Sequence, residues 1–311
     1  MEFNLKTTVN DRDFDQIFAE VKNHGEILDV RGNSELRLFY LRGVSDYHFP
    51  IDNLRKFLSK NIGAYVFSRS RINQFELDRD LYSVGLEAMD IMRKNGVADQ
   101  RGTGNELGEI MAFIFLESVL RAPKIYSKVE LSKVGGGGSS SDSIHVKLLD
   151  ISESSISYEM VFAASGIIGT FTEAVDAVFS HIADVKEHSQ DEINLVNESI
   201  FNLPKDDPVV EEMRPLIKPA PGKTINRDTA YGIFLGYTLG LRTDNRSPSE
   251  YRNLVERKMI ADIKQYAPYI REKIVNLGLT GRSFYMYIFP LDDAVTDKHM
   301  VMKKVMREEG V

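Results

Sequence analysis

Glu106 and Glu109 stand three residues apart in "GNELGEIMAFIFLESVLRAP", a spacing that projects both carboxylates to neighbouring points on one helix surface. Beside Ile110, Phe113 and Ile114 they also suit a solvated first turn at the positive end of the helix dipole. Glu117 falls deeper in the apolar segment, where a carboxylate is costly unless paired. Lys128 and Glu130 follow as K-x-E in "KIYSKVELS", on one face of an expected strand. Asp142 opens the next strand, "DSIHVKLLD". A helix carboxylate, two neighbouring strands and an aspartate at the lip of one of them can converge on a divalent cation. Mg2+ and Mn2+ take oxygen ligands of this kind, and such a cation activates water for attack on a phosphodiester. Spacing alone leaves the solvated and the metal-binding readings both open.

Other stretches carry less chemistry. "APGKT" at 220–224 ends like a phosphate loop, but the glycine such a loop needs five residues earlier is Ile217, so the segment reads as a plain loop. The six histidines show no zinc-ligand spacing. His181 and His188 share an expected helix, and His145 has a structural role next to Asp142. There are no cysteines, which excludes a thiolate zinc site, a cysteine nucleophile and a disulfide framework and fits a reducing cytoplasm. No stretch approaches the ~20 apolar residues of a membrane helix, and the opening residues, with no basic segment before an apolar one, are not expected to be a secretory signal. The net charge of −7 argues against a protein that grips nucleic acid unaided. A modestly basic run lies between Tyr251 and Arg282, with Lys258, Lys264 and Arg271 as its candidate phosphate contacts.

The elements that must position these residues read as an α/β (or α+β) protein, a small central sheet flanked by helices. Residues 1–100 form an N-terminal α/β region, beginning with a helix that carries Phe14, Ile17, Phe18 and Val21 on one face, and with "DNLRKFLSKNIGAYVFSR" read as a helix followed by a strand. Residues 101–203 read helix, three strands, helix. Residues 204–311 read as mainly helical and packed on that core. In this last region "GIFLGYTLGL" places Gly232, Gly236 and Gly240 along one helix face, a close-packing pattern. The run "GGGGSSSD" at 135–142 is expected to be a hairpin loop rather than a domain linker, turning tightly and letting a phosphate backbone approach Asp142.

Several blocks, "GNELGEIMAFIFLESVLRAPKIYSKVELS", "SDSIHV", "YEMVFAASGIIGTFTEAVDAVFSHI", "NESIF", "TAYGIFLGYTLGL" and "SFYMYIFPLDDA", resemble the HamA family of the Hachiman antiphage defence system over residues 102–295. The resemblance implies a restriction-endonuclease-like core of the PD-(D/E)xK kind, cutting DNA under the control of a superfamily 2 helicase, HamB. It assigns the helix glutamate to the Glu106/Glu109 pair, with Glu109 preferred, and the strand aspartate to Asp142; both would hold Mg2+ or Mn2+. It also expects a Glu-x-Lys on the strand after Asp142, where this chain has Ala164-Ser165-Gly166. Neither Ala164 nor Gly166 can bind a cation or position water. Two readings follow. One is a nuclease in which Lys128 or Glu130 supplies the missing groups; the alternative is a non-catalytic adaptor, natural or engineered, that binds and regulates the helicase.

Overall fold

The computed structural model describes residues 5–22, 33–44, 47–95, 105–130, 139–152, 154–202, 208–218, 221–241 and 247–306. Seven strands build one mixed sheet: β1 (Phe18–Val21), β2 (Ser34–Leu41), β3 (Lys124–Ser127), β4 (Ser143–Ile151), β5 (Ser155–Ile167), β6 (Thr224–Thr238) and β7 (Ser283–Leu291). Their order is β1-β2-β7-β6-β5-β4-β3. The centre is parallel and both edges are antiparallel. The α/β class with helices flanking a central sheet is therefore as expected, but the sheet is larger than three strands, and all three sequence regions contribute to it.

The helices are α1 (Asp11–Ile17), α2 (Ile51–Val66), α3 (Arg69–Leu77), α4 (Leu81–Asn95), α5 (Glu106–Ser118), α6 (Phe171–Asn202), α7 (Pro208–Ile217), α8 (Pro248–Asn276) and α9 (Ala294–Val305). Every residue of α5 is buried, as befits a helix apolar on all sides. It lies across one sheet face, where Phe115 meets Phe14, Phe18, Phe39, Phe234 and Tyr287 with ring centroids 5.0–5.3 Å apart. The opposite face carries α6 and α8: Tyr237 of β6 donates to Asp262 of α8, and Phe171 stacks on Tyr266 at 4.8 Å.

Three expected elements differ. The helix expected through Val21 ends at Ile17, and Phe18–Val21 pairs as β1. The strand expected after the start of α2 is instead the end of that helix. "GIFLGYTLGL" belongs mostly to β6, not to a helix. A central parallel strand is covered on both faces and reads as a continuous apolar run, which periodicity alone cannot separate from a buried helix. Gly232 and Gly236, four apart, share a sheet face as well as they would share a helix face. A Cβ at Gly232 would stand 2.5 Å from Leu116, so the glycine lets α5 lie close against β6. Of the loop expected over 135–141, residues 135–138 lie outside the described residues.

Glu117, fully buried, is paired after all. It accepts from Arg69 Nη2 (3.1 Å), Lys124 N (2.9 Å), Val9 N (3.1 Å) and both donors of Thr8. The strongest test of this core is Phe115→Ala, expected to lower unfolding stability by about 3–5 kcal/mol in urea denaturation. A loss below about 1 kcal/mol would show that the ring cluster around α5 is not the packing centre.

Candidate active site

The first turns of α5 bring Glu106 and Glu109 to the end of β5, both less than a tenth exposed. The approach is tight: a Cβ at Gly108 would stand 2.6 Å from Ser165 Oγ, so the position between the two acids has no room for a side chain. Glu109 Oε2 accepts from Tyr65 OH of α2 at 2.9 Å, and its Oε1 accepts from Lys128 Nζ at 3.1 Å. Asp142, 1% exposed, is held by its backbone between two neighbours. Its N–H donates to Ala163 O at 2.9 Å, and its carbonyl accepts from Lys128 N at 3.0 Å and lies 3.4 Å from Tyr65 OH. Its carboxylate accepts from Ser165 Oγ at 2.5 Å and stands 3.8 Å from His181 Nε2. Glu109, Lys128 and Asp142 thus form one cluster, with Glu106 near enough to act on Lys128 through its charge.

Charge in this cluster is out of balance. Burial pushes the Glu109 carboxyl up from its ordinary range, and the neighbouring Asp142 pushes it further. Lys128 and the Tyr65 hydroxyl oppose the rise without cancelling it. Burial works against the Lys128 ammonium, yet Glu109, Asp142 and Glu106 outweigh it, and the lysine is held above its usual value. Burial is thus the main cause for Glu109, with Asp142 second, whereas Lys128 owes its rise to the carboxylates around it, which outnumber the cations. Tyr65 is raised well above the ordinary phenol range, mainly by its own burial and then by Glu109 and Asp142, so it serves as a neutral donor.

Such a surplus suits a divalent cation. Among the described residues no three His, Asp or Glu side chains could enclose a metal by themselves. Two carboxylates and a hydroxyl are nonetheless an adequate donor set for Mg2+, which keeps several waters and is commonly held by one or two carboxylates. Glu109 and Asp142 are the residues that would hold it.

Lys128 and Glu130 do not share a strand face. The strand ends at Ser127, residues 128–130 take a helical turn, and the two side chains part. Lys128 goes to Glu109, whereas Glu130 turns back to Lys124 Nζ (2.7 Å) and Ser127 N (2.8 Å), bracing the buried Lys124. Ala164 and Gly166 also need correction as stand-ins for a Glu-x-Lys on this face. A Cβ at Gly166 would meet Ala174 and Val178 of α6, and alternation puts Ala164 on that same side. Ser165, between them, is the residue that reaches Asp142. On α8, Lys258 is tied to Asp262, while Lys264 and Arg271 are exposed.

Sequence reasoning missed three partners. Tyr65 was hidden because its segment read as a strand, and Ser165 because attention fell on the residues either side. His181 borders the buried stripe of Val178, Ile182 and Val185 on α6, a position that could have marked it as inward-leaning. His145, by contrast, is structural: it contacts Ala122 O (2.8 Å) and Ser143 Oγ (2.9 Å), and burial pulls its pKa down to about 4.

The electrostatics give a signed expectation. A carboxyl raised in the folded state favours the protonated form there, so its contribution to stability falls as pH climbs from the unfolded range, ~4.3, through the folded value. Asp142→Asn removes a negative neighbour and lowers the Glu109 pKa; Lys128→Met removes the opposing cation and raises it. Carboxyl 13C shifts followed through a pH titration read both, and an unmoved Glu109 in either variant would contradict the cluster.

Comparison with known proteins agrees with the resemblance in the sequence. No solved structure and no curated protein matches the chain. The model of the HamA family matches residues 15–305, nearly the whole length. The chain therefore belongs to the HamA family, and is an antiphage defence protein of the Hachiman type.

Proposed function

We propose that this chain is the nuclease effector of its defence complex, hydrolysing DNA phosphodiesters with Mg2+ or Mn2+ under the control of a partner helicase of the HamB kind. The observation that carries the reading is the 3.1 Å contact of Lys128 Nζ with Glu109 in the same buried cluster as Asp142. It puts an ammonium beside two carboxylates, the set this chemistry requires, from a turn rather than from the strand that usually supplies it.

Glu109 and Asp142 would hold the cation, which when bound supplies Lewis-acid polarisation of the phosphoryl oxygen. Lys128, 3.1 Å from Glu109, would orient the attacking water and balance the charge that builds on the phosphoryl oxygens. Tyr65 keeps Glu109 in place by its hydrogen bond, and Ser165 does the same for Asp142. The exposed Lys264 and Arg271 of α8 offer phosphate contacts, but a net charge of −7 leaves most of the grip on DNA to the helicase. A cytoplasmic setting fits this role. Among the described residues no helix is long and apolar enough to cross a membrane.

Plasmid and linear DNA cleavage by the chain with its helicase and ATP, in Mg2+ and in Mn2+, tests the proposal. Cutting is expected, abolished by Asp142→Ala and slowed roughly 10²–10³-fold by Lys128→Ala, the cost of losing one charge-stabilising donor. The absence of cutting while the complex assembles would sink the enzyme reading. It would leave the non-catalytic adaptor.

A further inference from the structure

The carboxylate of Glu192 has an unusual set of donors. It is buried, 5% exposed, on the second half of α6. Its Oε1 accepts from Ser139 Oγ (3.0 Å), Ser140 N (2.5 Å) and Ser141 N (3.0 Å), and its Oε2 accepts from Ser141 Oγ (2.5 Å). Four hydrogen bonds from three consecutive residues converge on one side chain. Burying a carboxylate is costly, and charge-assisted bonds of this kind are what offset the cost. The next residue in the chain is Asp142.

His181 works on the same segment from the same helix. Eleven residues separate it from Glu192, about three helical turns, which places both on one side of α6. Its Nε2 donates to Ser140 O at 2.6 Å. The Ser140 peptide is therefore gripped at both ends, at its N–H by Glu192 and at its carbonyl by His181. From there the chain passes directly to the Asp142 N–H on Ala163 O and the Asp142 carbonyl under Lys128 N. The serine half of "GGGGSSSD" is thus an anchored strap.

We propose that Glu192 is a positioning residue: by gathering Ser139, Ser140 and Ser141 it fixes Asp142 where its carboxylate can take up a divalent cation beside Glu109. The inference rests on the hydrolytic reading of Glu109, Asp142 and Lys128. Glu192 does not touch the cation or DNA; it acts through the strap. Removing it frees four donors and lets the strap leave α6, so Asp142 loses its register with Ala163 and Lys128.

The test uses the full chain as wild type, Glu192→Ala, Glu192→Gln and Asp142→Asn, with two readouts other than cleavage. Amide hydrogen exchange followed by NMR is expected to quicken roughly tenfold or more at Asp142 and Lys128 in Glu192→Ala, with the β6 and β7 amides unchanged. Mn2+ binding, followed by the electron paramagnetic resonance of the free ion, is expected to weaken roughly 10–100-fold, as for other residues that orient metal ligands. Glu192→Gln keeps the shape and one acceptor oxygen and should fall between; it also serves if the alanine variant does not fold. Wild-type exchange at Asp142 and Lys128 in both Glu192 variants would overturn the positioning role, whatever the metal does. Mn2+ binding that survives Asp142→Asn at full strength would overturn the hydrolytic reading beneath it.

Discussion

Like charges held together away from water set the terms for this protein. Glu109 and Asp142 are both nearly closed to solvent, and the Asp142 carboxylate adds to the burial that already raises the Glu109 carboxyl. Lys128 relieves the conflict only in part, since Glu109 remains raised with the ammonium 3.1 Å away. A cluster like this persists because the surrounding fold over-determines it. A buried carboxyl raised beside a specific charged partner is a recognised mark of a candidate working site. The buried Glu117 is a useful contrast. It meets Arg69 and four backbone or hydroxyl donors besides, a satisfied arrangement that anchors the N-terminal segment.

The scaffold reaches this geometry by pressing α5 onto the sheet. Gly108 lets the helix touch Ser165, and Gly232 lets it lie against β6 further along. The aromatic cluster around Phe115 secures the rest of the helix. Asp142 comes from the opposite direction, at the start of an antiparallel strand whose preceding serines are tied to α6. Helices on the two faces of the sheet thus each hold one of the acids, and the sheet edge between them carries Lys128. Rigid elements on both sides are what a site needs if its groups are to stay within reach of one another.

Part of this was legible in sequence and part was not, for physical reasons. Helix spacing brought Glu106 and Glu109 together, and Asp142 stood out at the start of its strand before the family resemblance pointed to it as well. Lys128 was within view as a substitute lysine, but its pairing with Glu130 rested on a strand continuing past Ser127. Alternation rules fail wherever a strand ends early, and here a helical turn sent the two side chains apart. The same sensitivity misplaced Ala164 and Gly166: a one-residue shift in register moves a side chain to the other face, and Ser165 is the one directed at Asp142. β6 was misread because a strand buried on both faces has no polar side to report. Tyr65, His181 and Glu192 come from segments distant in sequence, and only the tertiary fold brings them to the acids.

On the proposed function, Glu109 and Asp142 are two ligands of one divalent cation, with Lys128 beside it. The most direct measurement is anomalous diffraction from crystals of the chain grown with Mn2+ and a short DNA duplex. The account predicts a manganese peak between the Glu109 and Asp142 carboxylates, with Lys128 Nζ moved off Glu109 toward a phosphate. A peak elsewhere, or an intact Lys128–Glu109 pair with no manganese between the acids, would contradict it.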